Sequence, residues 1–263
     1  MSYSALAGQM PRVYFCIPLR SKKSSKDWDK VCRLLQTTIK SIARQSGGSF
    51  EAIVACHDLP HLGEASSVPV SVIRTDREEP TDRMEQLFDK RHKKMMLAEE
   101  VYKRGGGYMV MLDADDLVSN KLVRHICENH NERGFLINTG YACDVKKRKI
   151  ERVEKFSELC GSCAVFYLDA TDSDKARERW VYQIGDAMHR DFAKMSDLLG
   201  RRLEPIGFPA AMYMRNHGEN HSSLGKKKKL ASVIKEALHR FLNSALPSRR
   251  ISKQVQQEFS LQL

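Results

Sequence analysis

The stretch Tyr108–Leu117, which reads YMVMLDADDL, is the most informative part of the chain. Its first five residues are apolar, three glycines precede it, and it ends in an acidic turn. A short apolar run between turn signals predicts a buried strand. The carboxylates of Asp113, Asp115 and Asp116 therefore crowd the end of that strand. Such crowding suits Mg²⁺ or Mn²⁺, because like charges raise one another's pKa unless a cation lies between them. An Asp-rich turn that caps the next helix is the alternative interpretation.

Composition indicates a globular protein with a positive charge. Its 263 residues suffice for one sizeable α/β domain or two small ones, and a hydrophobic content of 41% is enough for an ordinary core. Lysine and arginine number 44 against 33 acidic residues, which gives a formal net charge of +11. This balance favours an anionic partner such as nucleotide phosphates, nucleic acid or an acidic membrane surface.

The cysteines and the apolar runs indicate the compartment. Seven cysteines are an odd number without framework spacing, and several lie in apolar runs, so we expect reduced core thiols in a reducing compartment. The first twenty residues lack a charged region followed by a long apolar core, so we predict no secretory signal. No apolar run approaches the roughly 18 residues of a membrane span. We therefore expect a cytoplasmic protein whose contact with a membrane, if any, is peripheral on the cytoplasmic membrane face.

The first 113 residues alternate apolar and amphipathic segments in the order β-α-β-β-α-β. The predicted strands are Arg12–Leu19, Phe50–Cys56, Val68–Arg74 and Tyr108–Leu112, and the predicted helices are Asp27–Gln45 and Asp82–Lys103, the second with Leu87, Met95, Ala98 and Val101 on its apolar side. This alternation predicts an α/β fold, with a Rossmann-like, mostly parallel sheet flanked by helices. Ligands bind such sheets beyond the carboxyl ends of the strands. That rule gathers Arg20, Asp58, Asp76 and the acidic turn at one edge, although Asp is common in turns for local reasons alone.

The second half of the chain is less regular. We predict a helix from Ser119 to about Asn131, extended segments at 134–142 and 144–153, a strand at Leu159–Leu168, helices at Asp172–Tyr182 and Asp186–Leu199, and short strands at Leu203–Ile206 and Ala211–Met214. A polar loop follows at 215–224, and then a basic tail at 226–263, with an amphipathic helix near 230–246 and a second after Ser248. The tail is either solvated or docks on anionic lipid.

Several short motifs narrow the chemistry. The chain has neither a P-loop nor a dinucleotide-binding glycine motif. The segment His217-Gly-Glu-Asn-His221 is not the zinc-protease signature; a loop histidine can still supply one nitrogen to a metal held by carboxylates, and a plain surface loop is the alternative. The segment Cys160-Gly-Ser-Cys163 has no partner pair for zinc, so we expect a tight backbone approach to a ligand there. Asp186 either caps the helix that it opens or acts as a general base.

Taken together, these features resemble glycosyltransferases of the GT-A fold, especially the family-2 type. The resemblance rests on the first strand FCIPLR, the strand tips VACHD and IRTD, the DxD-type LDADD, the pair Gly185–Asp186 and the closing HGENHS, which span about residues 12–224. It implies a GT-A domain at 1–225, with a nucleotide-binding half at 12–117 and an acceptor half at 118–225, before the tail. It also implies a nucleotide-sugar donor, a UDP-sugar by the family pattern, and a divalent metal, Mn²⁺ or Mg²⁺, on the diphosphate.

The resemblance also implies roles for single residues. Pro18, Leu19 and Arg20 would lie along the nucleoside. Asp58 and Asp76 would form hydrogen bonds to the base or the ribose. Asp113 and Ala114 would face the ribose or the sugar. Asp115 would bind the metal with His217 or His221, Lys93 or Lys94 would lie near the phosphates, and Asp186 would be the base. The implied reaction is inverting transfer to a hydroxyl of a glycan or lipid-linked acceptor, in surface polysaccharide or glycoconjugate synthesis, and a homo-oligomer is compatible with it. Two departures are that Gly185–Asp186 stands where the family has an acidic pair, and that the segment 141–180 does not align.

Two other classes of protein remain as alternatives. Sugar-nucleotidyltransferases share a similar sheet and metal-binding carboxylates, but they carry a glycine-rich loop after the first strand, whereas the loop here, RSKKSSK, is basic without glycine. A nucleic-acid-binding protein is suggested by the charge. The basic residues are nevertheless spread out, with little aromatic interleaving for stacking, so we do not expect nucleic acid as a partner.

Overall fold

A computed structural model describes residues 12–63, 68–219 and 249–262. Its strands are β1 (Val13–Pro18), β2 (Phe50–Cys56), β3 (Val70–Arg74), β4 (Gly107–Met111), β5 (Leu117–Val118), β6 (Gly134–Leu136), β7 (Gly140–Asp144), β8 (Lys149–Val153), β9 (Ala164–Leu168), β10 (Glu204–Pro205), β11 (Ala211–Arg215) and β12 (Arg249–Arg250). Its helices are α1 (Trp28–Ile42), α2 (Arg83–Lys103), α3 (Leu122–Asn129), α4 (Phe156–Leu159), α5 (Asp174–Asp186), α6 (Phe192–Leu198) and α7 (Lys253–Phe259), with a 3-10 turn at His189–Asp191.

The main sheet has seven strands in the order β10-β6-β9-β4-β1-β2-β3. The pairings β1–β2, β2–β3, β1–β4 and β6–β10 are parallel, whereas β9 runs antiparallel to both β4 and β6. Strand β1 is buried along its whole length, as expected of a central strand in a parallel sheet covered on both faces. The predicted mostly parallel α/β fold is therefore confirmed.

A second sheet, in the order β12-β8-β7-β11-β5, lies over a smaller apolar cluster. Strand β12 comes from the end of the chain and pairs antiparallel with β8, and helix α7 follows it. Phe259 of α7 is fully buried in this cluster together with Leu117 and Met212. Residues 249–262 are thus packed on the body of the molecule, while the helix predicted near 230–246 lies outside the described residues.

Helices α1 and α2 begin where the sequence predicts, because each starts at an aspartate cap. Asp27 accepts a hydrogen bond from the backbone N–H of Lys30, and Asp82 accepts one from that of Glu85, both at 2.9 Å. The predicted apolar side of α2 is wrong in part. Ala98 and Val101 are buried, but Leu87 is 42% exposed. Lys93 and Lys94, in the middle of the helix, lie on the buried face instead.

The predicted strand at Leu159–Leu168 is wrong in its first half. Residues 156–159 form helix α4, residues 160–163 form a loop, and β9 begins only at Ala164. The loop turns inward because its side chains bind the carboxylate of Asp116. The predicted extended segment 134–142 divides into β6 and β7, which belong to different sheets.

The prediction that Asp186 opens a helix is also wrong, since Asp186 is the last residue of α5. The helix runs through Gly185 because this glycine packs directly on α2. A Cβ atom added there would lie 2.2 Å from Cγ of Met95. The chain then turns through His189–Asp191 before α6 begins.

The prediction that the cysteines are unpaired core residues is confirmed, since all seven are free and buried. Among the helices within residues 12–63, 68–219 and 249–262, none has both the length and the apolar character that crossing a bilayer requires.

Candidate functional site

A cleft of about 360 Å³ opens beyond the carboxyl ends of β1 and β4. These two strands are parallel neighbours, with Cys16 paired to Met111, so the residues that follow them meet at one edge of the sheet. Helix α2 forms a further wall, and the segment 187–189 after α5 closes the cleft from another side. The edge expected from the strand order is therefore where the cavity lies.

The structure brings many of the predicted site residues into this cleft. Those that line it are Pro18, Leu19, Arg20, Lys94, Asp113, Ala114 and Asp115. Asp58 lies outside the lining and accepts a hydrogen bond from the backbone N–H of Lys22 at 2.7 Å, and Asp76 is exposed beyond the tip of β3. Asp186 and His217 adjoin the cleft through their partners Arg91 and Asp115, which do line it. His221 lies outside the described residues.

Three lysines on one face of α2 line the cleft. Lys90, Lys93 and Lys94 lie three and four positions apart, a spacing that places them side by side on a helix. The Nζ of Lys90 contacts Oδ1 of Asp113 at 2.6 Å. Sequence reasoning singled out only the second and third of these lysines. The helical spacing of the cationic run was the signal that could have added Lys90.

Lys94 is buried, and the described contacts of its Nζ include no carboxylate. Its ammonium donates a hydrogen bond to the carbonyl of Ala187 at 2.8 Å and lies 5.4 Å from the ring centroid of Phe192. Burial, followed by the positive charge of Lys90, lowers the pKa of Lys94 to about 7. This ammonium is thus placed where a bound anion would stabilise its charge.

Lys93 is only 1% exposed and is held by a buried network. Its Nζ donates to Oδ2 of Asp89 at 2.7 Å and to the carbonyl of Leu19 at 2.8 Å. The other oxygen of Asp89 lies 2.8 Å from Nε2 of His57, at the tip of β2. The network therefore ties the ends of β1 and β2 to helix α2. Nothing in the sequence alone pointed to Asp89 or His57.

The carboxylate of Asp113 stays charged through its contact with Lys90. Burial acts to raise the pKa of Asp113, but the Lys90 ammonium outweighs burial and holds the pKa below its usual value. The Cα of Gly161 faces this carboxylate so closely that an added Cβ would lie 2.9 Å from Oδ2. A side chain at 161 would therefore push the Asp113 carboxylate from its position.

Asp115 and His217 form the pair that best fits a divalent metal. Oδ2 of Asp115 lies 2.9 Å from Nε2 of His217, close to the edge of about 3.0 Å between neighbouring ligands in an octahedron with bonds of about 2.1 Å. At present Nδ1 of His217 accepts from the backbone N–H of Glu219 at 3.3 Å, so Nε2 carries the proton. Metal binding at Nε2 requires that proton to move to Nδ1, which gives up the 3.3 Å hydrogen bond from the backbone N–H of Glu219. The pair therefore fits a divalent metal after a change of tautomer.

A second cluster of ligand-type side chains, Asp113, Asp116 and Cys160, is a structural contact rather than a metal site. Asp116 is fully buried, and its carboxyl oxygens already interact with Oγ of Ser162 at 2.6 Å, Sγ of Cys160 at 2.9 Å and the backbone N–H of Met214 at 3.1 Å. Burial, followed by the charges of Asp115 and Asp113, raises the pKa of Asp116 well above its usual value. Burial likewise raises the pKa of the Cys160 thiol. Neutral, hydrogen-bonded groups of this kind stabilise the end of β4.

The candidate base and the closing loop lie at the periphery of the cleft. Oδ1 of Asp186 is 3.0 Å from Nη1 of Arg91, and both side chains are partly exposed. On another side, Nη1 of Arg20 contacts Oε2 of Glu219 at 2.9 Å, and the same oxygen accepts from the backbone N–H of Lys26. Glu219 thus joins the closing loop to the loop after β1, a pairing that spans 199 positions and that sequence reasoning missed.

The arrangement is a cleft with cationic side chains on its walls and acidic side chains on its floor. Cationic groups of Arg20, Lys90 and Lys94 surround a space next to Asp113 and Asp115. Such a set can hold a phosphorylated ligand and a divalent cation together. The fold and the cleft therefore define an α/β protein with a candidate site, lined by cations and carboxylates, at the carboxyl ends of its parallel strands.

Among the comparisons with known proteins, only the search of solved structures finds proteins that resemble this chain. Two crystal structures of the glycosyltransferase GlyE of Streptococcus pneumoniae match this chain with TM-scores of 0.40 and, for the apo form, 0.37, at 9% and 11% identity. They cover 91% and 89% of this chain, which spans 66% and 64% of theirs. A search of protein-family models finds no match, and no curated protein matches either.

Proposed function

We propose that this protein is a metal-dependent glycosyltransferase that moves a sugar, a hexose by preference, from a UDP-sugar to a hydroxyl acceptor. The observation that carries the proposal is the cleft at the ends of β1 and β4, where the lysines of α2 face Asp113 and Asp115. The acceptor that we propose is a glycan or a lipid-linked glycan of surface polysaccharide or glycoconjugate synthesis.

The lysines suit the diphosphate of a donor. Lys94 lacks a carboxylate among its described contacts, so a phosphate oxygen can accept a hydrogen bond from it. The ammonium of Lys90 is held at the cleft by its ion pair with Asp113. Preorganised cations of this kind stabilise negative charge that develops on a leaving diphosphate, where such contacts are most effective.

The pair Asp115 and His217 would hold the metal, with His221 as a further proposed ligand. When bound there, Mn²⁺ or Mg²⁺ would supply Lewis-acid stabilisation of the diphosphate. Asp113 lies two residues before Asp115 and keeps its charge through Lys90, so we propose that it faces the ribose or the sugar.

Asp186 is the proposed general base. The acceptor oxygen would form a bond to the anomeric carbon while the bond from that carbon to the phosphate oxygen breaks, and the electron pair would leave with UDP. The proton of the acceptor hydroxyl would pass to the Asp186 carboxylate, which Arg91 now orients. A single displacement from the opposite face inverts the anomeric configuration, by analogy with inverting glycosidases.

A screen of nucleotide sugars by thermal shift, with and without Mn²⁺, tests the donor. We expect UDP-sugars with Mn²⁺ to raise the melting temperature, since a ligand at a hundred times its Kd adds about 2.7 kcal/mol of stability. Release of UDP rather than pyrophosphate in the presence of acceptor would separate this proposal from a sugar-nucleotidyltransferase. Stabilisation by none of the nucleotide sugars would contradict the proposal.

Asp186→Asn tests the base. The amide keeps the size of the side chain but cannot take up a proton, so we expect turnover to fall by about 10²–10⁴-fold while donor affinity changes little. Asp197→Asn, an exposed acid in α6, is the matched control and should retain turnover. Loss of donor binding in Asp186→Asn would indicate a structural role for this carboxylate instead.

A further inference from the structure

An exposed apolar surface adjoins the charged cleft. Three exposed apolar side chains from three different elements line the cleft: Leu87 of α2 (42% exposed), Leu159 of α4 (37%) and Met188 after α5 (48%). Single apolar side chains scattered over a surface are common and need no explanation. Apolar side chains from separate parts of the chain that line one cavity are instead typical of a ligand site.

The apolar surface continues along the first turns of α2. Met84 and Phe88 are 59% and 50% exposed, and they lie three residues before and one residue after Leu87. Positions 84, 87 and 88 share one face of a helix. We refer to Met84, Leu87, Phe88, Leu159 and Met188 together as the apolar rim.

The apolar rim differs in exposure from the buried lysines that suit a donor diphosphate. Lys93 and Lys94 are 1% and 6% exposed, whereas every member of the rim is at least 37% exposed. The charged diphosphate of a donor would gain little from contact with leucine and methionine. The rim is therefore suited to a different part of the reacting pair.

The apolar rim also lies on the side of the candidate base. Met188 follows Asp186 by two residues, and Leu87 precedes Arg91, the ion-pair partner of Asp186, by one helical turn. An acceptor whose hydroxyl approaches Asp186 would extend any group attached to it over Leu87 and Met188.

We propose that the apolar rim is an acceptor subsite for an aliphatic chain joined to the sugar or alcohol that receives the transferred residue. The inference rests on the proposed function, because it assigns the acceptor of that reaction. The occupant is a single amphipathic molecule with its hydroxyl in the cleft and its chain on the rim.

Binding of octyl glucoside and methyl glucoside below the micelle concentration tests the subsite. The readout is displacement of N-phenyl-1-naphthylamine, a dye that fluoresces in apolar surroundings. We expect octyl glucoside, but not methyl glucoside, to displace the dye from the unmodified protein. Leu87→Gln and Met188→Gln should each lower the affinity of octyl glucoside about tenfold or more, because each removes one apolar side chain from the buried contact.

Leu198→Gln is the matched control, since Leu198 is 75% exposed on α6 and does not line the cleft. Equal dye and octyl glucoside binding in the control and in the two rim variants would overturn the subsite. Binding to vesicles of phosphatidylcholine and phosphatidylglycerol through Leu87 and Met188, without binding of octyl glucoside, would overturn it in favour of a membrane-docking face.

Titration of UDP with Mn²⁺ into the same proteins reports on the proposed function separately. Absence of UDP binding from every protein, control included, contradicts the proposed function, whereas the octyl glucoside result decides the rim. Lost UDP binding confined to Leu87→Gln and Met188→Gln would mean that the rim serves the donor, and would overturn the acceptor subsite.

Discussion

At the scale of single residues, the cleft is built from charged side chains whose burial depends on their partners. Burying a charge without a partner is strongly unfavourable. Lys93 meets this requirement through Asp89 and the Leu19 carbonyl. Lys94 meets it less fully, with a carbonyl and an aromatic ring. This difference makes Lys94 the lysine most responsive to an incoming anion.

Lys94→Met should remove a pH dependence from the stability of the ligand-free protein. The pKa of Lys94 is lowered from 10.5 to about 7 in the folded state, so between these values the unfolded chain binds more protons and stability rises with pH. Wild type should therefore lose stability relative to the variant as pH falls through this window, by an amount on the order of a few kcal/mol. Urea unfolding at about pH 6 and about pH 9.5 measures the difference. Parallel profiles for the two proteins would show that Lys94 is not buried as described.

Asp115→Asn and His217→Gln should weaken binding of Mn²⁺. Each removes or misplaces one donor atom of a pair that lies 2.9 Å apart, and we expect a loss of affinity of about 10–100-fold or more. Titration of Mn²⁺ in the presence of UDP, followed by electron paramagnetic resonance, gives the affinity directly. Glu78→Gln, an exposed acid outside the cleft lining, is the control. Unchanged Mn²⁺ affinity in both variants would refute this pair as the metal site.

At the scale of elements, one buried carboxyl group holds three segments together. Asp116 lies just beyond β4, and it binds the loop before β9 through Cys160 and Ser162 and strand β11 through the Met214 backbone. Oγ of Ser162 also accepts from the backbone N–H of Asp113 at 2.9 Å. The position of the cleft floor therefore depends on contacts between elements that are far apart in the chain.

Asp116→Ala should destabilise the protein by about 3 kcal/mol or more, because several buried donors lose their acceptor at once. Chemical denaturation measures the loss, and Asp197→Ala, on the exposed face of α6, should change stability by far less. A variant as stable as the control would mean that these contacts contribute little to the fold.

At the scale of the whole molecule, the end of the chain completes the second sheet. Strand β12 pairs with β8, and Glu258 accepts hydrogen bonds from Oγ of Ser119 at 2.6 Å and Nζ of Lys121 at 2.9 Å. Phe259 fills the apolar cluster beneath them. Removing the predicted tail 226–263 would therefore also remove part of the packed structure.

Phe259→Ala should lower the free energy of unfolding by about 3–5 kcal/mol, since it leaves a cavity in a fully buried position. Gln257→Ala, two residues earlier and exposed, should have little effect. Equal stability of the two variants, measured by urea unfolding, would argue against docking of α7 on the second sheet.

Local sequence patterns alone were sufficient to predict the helices and strands in the first half of the chain. Short apolar runs and helix caps depend on a few neighbouring residues, so they can be read from the sequence. Examples are the run from Val13 to Pro18, the caps Asp27 and Asp82, and the acidic end of β4. The parallel order then brings Arg20 and Asp113 to one edge without further information.

Tertiary packing alone decided which of those residues touch. Asp115 meets His217 across 102 positions, and Lys93 rather than Leu87 lies on the buried side of α2 because Asp89 and the Leu19 carbonyl receive its charge. Gly185 fits against Met95, so Asp186 ends a helix that it was expected to open. These outcomes depend on the shape and charge of distant segments, which periodicity along the chain does not encode.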